Sequence, residues 1–589
     1  MKLKHILYII PAVALVSSCD LDKSPLASLS PESFFSTESE LQAFSNNFYT
    51  ILSASFKEDS DMYALMSLPE EMRDGRSIPA SGGGWTWTDL RKFNTMLDNL
   101  DKCSDEAVRS EYEGLARFFR AYFYFEKVKR FGDVPWYDTQ IGSDDTEALN
   151  KPRDSRELVM QNVIADLDYA FEHLPSAKSP YRINRWAALA LKSRACLFEG
   201  TYRKYHSLTL EGKSADWYLT AAADASYKFI TTSPYAIFST GDTNEDYRTL
   251  FSTDNVDGSD ISKEVVLAIN YNKEYSKTHS SNYTTLVSSM DRPGMTKKIV
   301  ASYLCSDGTR FTDKAGWETL SFYKECQDRD PRLSQSIRTP GYHRIGQTKL
   351  LAPDLSSSIT GYHMTKFVTT TDKDAYNDSD NDLFVFRAAE VYLNYAEAKA
   401  ELGSITQNDI DISIKKLRDR VGMPNLDVAA ANANPDPFLT NKEWGGYQNV
   451  SGANAGVILE IRRERAVELC QEGFRYWDIM RWREGKIFEQ QLYGMYFPGL
   501  GEYDLDQDGT LDICLYDGEK PKSTATLIYK VDSDIILSEG TKGFVNPHKN
   551  LPGSWNEERD YLYPIPTDDR SLTGGALTQN PGWDDGLTF

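Results

Sequence analysis

A short acidic stretch near residue 510 has the spacing of a metal-binding loop. It reads Asp504-Leu-Asp506-Gln-Asp508-Gly509-Thr510-Leu-Asp512. Calcium loops place carboxylates at positions 1, 3, 5 and 9, a glycine at position 6 and a main-chain carbonyl, here that of Thr510, at position 7. Position 12 is Leu515, so a bidentate carboxylate must come from elsewhere, with Glu502 and Asp517 as candidates. The spacing predicts a structural Ca²⁺ site, and the alternative is an acidic turn in solvent.

A second stretch that could bind a ligand is rich in turn-forming residues and has no periodicity. It reads Met72-Arg-Asp-Gly-Arg-Ser-Ile-Pro-Ala-Ser-Gly-Gly-Gly-Trp-Thr-Trp87, which predicts a loop. Trp85 and Trp87 stand beside three glycines, and such a segment offers little with which to bury them. We therefore expect the two tryptophans to bind a ligand, together with Arg73 and Asp74 of the same loop. A structural loop docked on the core is the alternative.

The stretch from Ile458 to Trp482 combines an apolar helical face with many charges. Its apolar residues fall at helical spacing, which predicts a helix docked on the core. Three glutamates repeat at i, i+4, which is repulsive unless they are paired. We expect ion pairs within the stretch, because unpaired charges half out of water are costly. The predicted cations are Arg465, Arg475 and Arg481, and the predicted anions are Glu464, Glu468, Glu472 and Asp478. A catalytic carboxylate cluster is the alternative.

The N-terminus has the pattern of a lipoprotein signal. Lys2 and Lys4 precede an apolar run too short to span a bilayer, and Val16-Ser17-Ser18-Cys19 follows. Small residues before a cysteine predict cleavage before Cys19 and lipidation of its thiol, so that the mature chain is anchored and not membrane-spanning. Residues 1–18 are then the signal peptide and residues 19–30 a flexible tether.

Composition excludes several classes of function. A formal net charge of −22 argues against nucleic-acid binding, because the phosphates would be repelled. The seven cysteines form no CxxC pair and no zinc spacing with histidine. A glycoside hydrolase needs two facing carboxylates, such as Glu70 and Asp74, but so acidic a chain always offers such pairs. With no nucleophile elbow, zinc helix or phosphate loop in a suitable context, binding without catalysis is the favoured interpretation.

Paired amphipathic helices followed by a helix breaker indicate a tetratricopeptide-like repeat. The predicted pairs are 111–131 with 155–174, 185–202 with 215–232, and 387–402 with 408–421. Such pairs cover one another's apolar faces by stacking into a superhelix. Residues 241–383 and 487–561 are polar and lack sustained helical periodicity. We thus predict a mostly α fold, in which residues 31–589 form one domain with scaffold segments at about 31–240 and 384–486 and long irregular insertions between and after them.

Several of these segments resemble the SusD/RagB family, the nutrient-binding lipoproteins of Bacteroidetes outer membranes. The pattern Glu-Arg-x-x-Glu-Leu-x-x-Glu-Gly-x-Arg-x-x-Asp-x-x-Arg-Trp ends at Trp482. Further similarity lies in Leu115–Pro135, in the segment that begins at Phe386, and in Tyr563-Pro-Ile-Pro with Gln579-Asn-Pro-Gly-Trp. Asp20 and Asp22, directly after Cys19, resemble the signal that sends these lipoproteins to the cell surface.

The resemblance implies a surface-exposed binder of oligosaccharides that delivers them to a SusC-like TonB-dependent transporter. It places glycan stacking on the early tryptophan loop and on aromatic residues of the insertions, where Tyr283 and Trp317 are the candidates. Some members of the family are associated with peptide uptake, so a peptide ligand is one alternative. A glycan-binding adhesin or scaffold that has no transporter is another.

Overall fold

Helices form the scaffold of the protein. The computed structural model describes residues 34–56, 60–73 and 76–589. The predicted signal peptide, the tether that begins at Cys19, and Asp74 lie outside those residues. No described helix has the length and apolarity needed to cross a membrane. The helices are α1 Glu38–Ser45, α2 Thr88–Leu97, α3 Glu106–Phe131, α4 Thr146–Leu149, α5 Arg156–His173, α6 Arg185–Tyr205, α7 Ala215–Thr232, α8 Asp246–Ser252, α9 Ser281–Leu286, α10 Lys297–Ser302, α11 Phe322–Glu325, α12 Ala388–Glu401, α13 Gln407–Asp411, α14 Ile414–Arg420, α15 Val428–Ala433, α16 Ala455–Glu468, α17 Arg475–Arg481 and α18 Thr567–Leu572.

The first two predicted helix pairs are confirmed as α3 with α5 and α6 with α7. Helices α6 and α7 approach so closely that a Cβ added at Gly200 would lie 2.8 Å from Leu219. The third pair differs from the prediction, because the segment 408–421 is divided into α13 and α14 at Ser413, whose ψ of −92° is not helical. Helix α12 joins the stack through Asn394, whose side-chain amide donates to Ser193 Oγ of α6 at 3.0 Å.

The strands are short and lie mainly in the two predicted insertions. They are β1 Tyr63–Ala64, β2 Val265–Ile269, β3 Gly294–Met295, β4 Tyr362–His363, β5 Leu383–Arg387, β6 Tyr496–Phe497, β7 Gly501–Tyr503, β8 Ile513–Tyr516, β9 Leu527–Lys530 and β10 Gly543–Phe544. They form four small sheets with the orders β1-β3-β4, β10-β6, β2-β5 and β7-β8-β9. The antiparallel β2–β5 pair joins the first insertion to the residues that lead into α12. The prediction that both insertions lack long helices is confirmed.

The charged stretch from Ile458 to Trp482 is two helices and not one. Helix α16 ends at Glu468, Gln471 and Gly473 adopt φ of 65° and 81°, and α17 begins at Arg475. A glycine tolerates this left-handed backbone without strain, so the chain can turn there. Helix α16 is buried on nearly all sides, including its charged residues.

The ion pairs inside this stretch are confirmed in part. Arg465 and Arg481 both contact Asp478, at 2.7 and 2.9 Å. Arg475 does not contact the glutamates, because its guanidinium binds Asp61 at 2.8 Å. The glutamates themselves take cations from distant parts of the chain, and the expectation that this stretch supplies them is wrong.

The glutamates of α16 anchor the insertions to the scaffold through what we call the Glu468 cluster, formed by Glu468, Glu264, Arg332, Arg387 and Arg420. Glu468 accepts from Arg420 at 2.6 and 2.7 Å, from Arg387 at 2.8 Å and from Arg332 at 3.1 Å. Glu264 contacts Arg387 and Arg420 at 2.8 and 3.2 Å. The three guanidinium groups hold the pKa of Glu468 far below its usual range, despite complete burial of the carboxylate.

His206, at the end of α6, makes the stability of the scaffold depend on pH. Its ring stacks on Tyr202, and its Nε2 lies 2.9 Å from the carbonyl of Met480 in α17. Burial lowers the pKa of His206 from 6.5 to about 3. Between these values the unfolded imidazole binds a proton that the folded one does not, so the stability of the fold decreases as pH falls.

We therefore expect the contribution of His206 to the free energy of unfolding to decrease between pH 6.5 and pH 5. Urea unfolding measured across this interval should show that the parent chain loses more stability, or gains less, than His206→Gln does. The exposed His173 provides the matched control, and His173→Gln should follow the parent. A decrease of the same size in His206→Gln would contradict the assignment.

Candidate functional site

Two cations of α3 hold the glycine turn that precedes the tryptophans. Gly82, Gly83 and Gly84 have φ of 76°, 55° and 88°, a run of left-handed residues that favours glycine. Lys127 Nζ donates to the carbonyl of Gly84, and Arg130 Nε donates to that of Gly83 at 2.9 Å. Burial lowers the pKa of Lys127 to about 8. The loop is thus fixed to the scaffold at its tightest turn.

Both tryptophans contact the core, so the expectation that the loop cannot bury them is wrong. Trp85 is 5 % exposed and meets the ring of Phe131 edge-on at 4.9 Å. Trp87 is half-buried, with Phe123 at 5.6 Å and Tyr137 at 5.9 Å. These partners come from α3 and from the chain that follows it. Neither indole N–H has a hydrogen-bond partner among the described residues.

The two tryptophans nevertheless share the wall of one pocket of ≈ 510 Å³, which we call the tryptophan pocket. It lies between α2, the segment from Pro135 to Lys151 that includes α4, and the C-terminal α18. Its wall is formed by Trp85, Trp87, Leu90, Arg91, Asn94, Pro135, Tyr137, Thr139, Gln140, Ile141, Thr146, Leu149, Asn150, Lys151, Asp569, Leu572, Thr573 and Leu577. A pocket of this size can hold a small ligand or the end of a longer one.

Main-chain hydrogen bonds hold the sides of the tryptophan pocket together. The buried Asn94 of α2 donates through Nδ2 to the carbonyls of Tyr137 and Thr139, both at 3.0 Å. On the opposite side, the amides of Thr567 and Asp568 in α18 donate to the carbonyls of Pro79 and Ala80, at 3.2 and 2.9 Å. The tryptophan loop, α2 and α18 therefore form one continuous wall. No sequence signal pointed to Asn94 or to the C-terminal residues as parts of this site.

Of the remaining residues predicted to bind glycan, Arg73, Tyr283 and Trp317 do not line the tryptophan pocket. Arg73 is exposed at the end of a short 3₁₀ turn, and Asp74 lies outside the described residues. Tyr283 is half-buried on α9 and meets the exposed Tyr376 edge-on at 5.5 Å. Trp317 is only 7 % exposed, because its ring packs in the core against Phe438. Trp317 therefore packs in a core cluster outside the tryptophan pocket, and its role in glycan binding stays a prediction.

The predicted calcium loop joins β7 to β8. The carboxylates of Asp504, Asp506 and Asp512 offer ligand atoms within 4.8 Å of one another. Asp508 is exposed, and its Oδ1 accepts from the amide of Thr510 at 2.7 Å. The flanking elements are strands and not helices, so this is not an EF-hand.

The charges in this loop favour a cation. Burial and the neighbouring aspartates raise the pKa of Asp512 to about 6, and the same two causes raise the pKa of Asp506. Clustered carboxylates in this state are stabilised by a hard cation, and an all-oxygen donor set suits Ca²⁺. The donor set present therefore fits the ion that the spacing predicts.

The chain is similar to known proteins over nearly its whole length. It is 23 % identical over 514 residues to the SusD-like protein P38 of Formosa agariphila, which covers 80 % of this chain and 90 % of the relative. A SusD-like protein from Bacteroides fragilis superposes with a TM-score of 0.67 and 22 % identity, covering 95 % of this chain and all of the other. A SusD-like carbohydrate binding protein from the same species gives 0.66 and 20 %, over 92 % and 99 %.

Two family profiles match the chain. Residues 85–197, which include both tryptophans of the pocket, match a profile described as starch-binding associating with outer membrane. Residues 263–583 match the profile of the SusD family. Because the latter match covers more than half of the 589 residues and the fold agrees with that of solved SusD-like structures, this chain belongs to the SusD family.

Proposed function

We propose that this chain captures oligosaccharides at the outer surface of the outer membrane and delivers them to a SusC-like TonB-dependent transporter. The observation that carries the proposal is the tryptophan pocket, in which two indole rings share one wall. Aromatic rings suit sugars because their faces are apolar and the N–H at the edge can donate a hydrogen bond. The carbohydrate-binding relative from Bacteroides fragilis supports a sugar ligand.

Binding is proposed to occur without cleavage. Glycoside hydrolysis needs two carboxyl groups that flank the scissile bond. Among the described residues of the pocket wall, Asp569 is the single carboxylate. Calorimetric titration of the mature chain with a panel of polysaccharides, followed by an assay for new reducing ends, tests the proposal. We expect heat of binding for at least one polysaccharide and no accumulation of reducing ends; released sugar would favour an enzyme.

Anchoring through a lipid at Cys19 is the proposed route to the membrane. A single apolar run before Cys19 and a tether after it would leave the domain anchored outside the bilayer. Replacing Cys19 with alanine is expected to release the protein from the outer-membrane fraction, as followed by cell fractionation and protease digestion of intact cells. A Cys103→Ala variant, which alters another cysteine, should remain bound. Retention of the Cys19→Ala protein in the membrane would contradict the anchor.

The transporter is proposed because a tethered binder offers its cargo no path across the bilayer, and a polar glycan needs a closed barrel for that step. A lipid anchor keeps the two partners at high effective concentration. Mild detergent extraction and pull-down of a tagged chain should recover a TonB-dependent transporter. Recovery of the chain alone, with growth on its glycan unaffected by deletion, would favour an independent surface binder or adhesin.

A structural Ca²⁺ is proposed for the β7–β8 loop, held by Asp504, Asp506, Asp508, Asp512 and the carbonyl of Thr510. An ion that binds only the folded state raises stability as its concentration exceeds the dissociation constant. EDTA should therefore lower the melting temperature of the parent chain, and added Ca²⁺ should restore it.

An exposed aspartate outside the motif provides the matched control for the calcium prediction. Asp506→Asn is expected to melt near the EDTA-treated parent and to respond little to either reagent. Asp532→Asn, in the turn after β9, should behave as the parent does. A parent melt that EDTA leaves unchanged, with no calcium in elemental analysis, would exclude the site.

A further inference from the structure

The rim of the tryptophan pocket carries aliphatic side chains that the fold does not use. Leu149, at the end of α4, is 44 % exposed, and Leu572, at the end of α18, is 81 % exposed. An isolated leucine at a protein surface is ordinary. Here two of them line a single concave site together with the buried Leu90 and Leu577. Apolar surface therefore continues from the core to the mouth of the pocket.

Many polar side chains of the pocket wall are already engaged within the protein. The hydroxyl of Tyr137 donates to the carbonyl of Ala148 at 2.9 Å, and that of Thr139 to Asp98 at 2.8 Å. Lys151 pairs with Asp154 at 2.6 Å. A ligand that enters the pocket thus meets carbon surface and a limited set of polar groups, chiefly those of Arg91, Gln140, Asn150 and Asp569.

This wall disfavours an unsubstituted sugar. Each hydroxyl group that leaves water without a new partner costs free energy, whereas each buried methyl or methylene group gains it. A sugar with a hydroxyl on every carbon would bring some of these groups against the leucines of the wall, where they find no partner. A ligand end with one polar side and one apolar side would match the wall.

We propose that the tryptophan pocket selects the end of a glycan that carries an apolar substituent, such as an aromatic or acyl ester or a deoxy position. This inference rests on the proposed function, because it specifies the glycan that the same pocket holds. The substituent lies between Leu149 and Leu572, and the sugar ring contacts Trp87.

Phenyl glycosides are suitable probes because they add one apolar ring to a known sugar. The protein is titrated with phenyl β-glucoside, β-galactoside and β-xyloside, and each affinity is compared with that for glucose, galactose or xylose. Phenol serves as the probe for the ring alone. Each CH₂ equivalent of the ligand that becomes buried raises the affinity about fourfold. At least one phenyl glycoside should bind more than tenfold tighter than both its free sugar and phenol.

Variants at the rim test whether the leucines supply this preference. Leu149→Asn and Leu572→Asn alter exposed side chains, so the fold should tolerate both, and each should reduce the preference several-fold. Leu551→Asn, at a leucine that is 69 % exposed outside the pocket, should leave it unchanged. Equal affinity for free and phenyl-bearing sugars, or a preference that survives both rim variants, would overturn the inference.

The proposed function fails in a distinguishable way. If polysaccharides bind the parent but not Trp87→Ala, and the phenyl group adds no affinity, glycan binding would be upheld and only the selectivity overturned. If phenyl glycosides bind while no polysaccharide does, even when the panel includes polysaccharides that carry acyl or aromatic esters, glycan capture is overturned, and the inference with it.

Discussion

Replacing Glu468 with glutamine is expected to lower the free energy of unfolding by about 3–5 kcal/mol, the cost of leaving buried charges without their partner. Glu468 is completely buried and accepts hydrogen bonds from Arg332, Arg387 and Arg420. Glutamine keeps the volume and removes the charge. Three guanidinium groups would then share Glu264 and the neighbouring carboxylates, and part of their charge would remain uncompensated.

Urea unfolding followed by circular dichroism measures this effect. Glu558→Gln, which makes the same chemical change at an exposed glutamate, is the control and should stay within about 0.5 kcal/mol of the parent. Limited proteolysis should also cut the insertions of Glu468→Gln earlier, because Arg387 and Arg332 lie in or beside them. Stability of Glu468→Gln equal to that of the control would show that the cluster does not anchor the insertions.

Replacing Trp87 with alanine is expected to weaken glycan binding by about 1–3 kcal/mol, taking the burial of a large side chain as the scale. The ring is half-buried and lines the tryptophan pocket. Its loss would remove an apolar face and an N–H donor that has no partner among the described residues. Because Trp87 also packs against Phe123 and Tyr137, the variant should lose some stability as well, so its folding must be measured alongside affinity.

Two further variants separate binding from folding. Thr146→Phe narrows the pocket from its exposed rim without removing any core contact, and it should weaken binding while melting as the parent does. Trp217→Ala removes a tryptophan that is 37 % exposed on α7, outside the tryptophan pocket, and it should bind as the parent does. Unchanged affinity in both Trp87→Ala and Thr146→Phe would place the site elsewhere.

The scaffold could be predicted from the sequence because its signals are local. The apolar periodicity of α3, α5, α6 and α7 and the glycine and proline residues near their ends lie within each helix. The division between α16 and α17 was missed, although Gly473 marks it, because the apolar and charged periodicity on both sides suggested one continuous helix. A single glycine within a strong pattern is weak evidence for a break.

The partners of buried groups could not be predicted, because they come from distant parts of the chain. Glu468 takes its cations from 48 to 136 residues away. In the same way, the tryptophan loop is buried by α3 and meets α18 near the C-terminus. The sequence therefore singled out Trp85 and Trp87, which line one pocket, but it did not indicate Asn94, Leu149 or Leu572, whose exposure and contacts exist only in the folded chain.

Affinity gel electrophoresis of the parent, Trp87→Ala, Thr146→Phe and Trp217→Ala through a panel of polysaccharides tests most directly whether this chain binds glycan at the tryptophan pocket. The account predicts that at least one polysaccharide retards the parent and Trp217→Ala alike, and that Trp87→Ala and Thr146→Phe migrate as they do in a gel without polysaccharide. Equal retardation of all four proteins, or retardation of none by any polysaccharide, would contradict it.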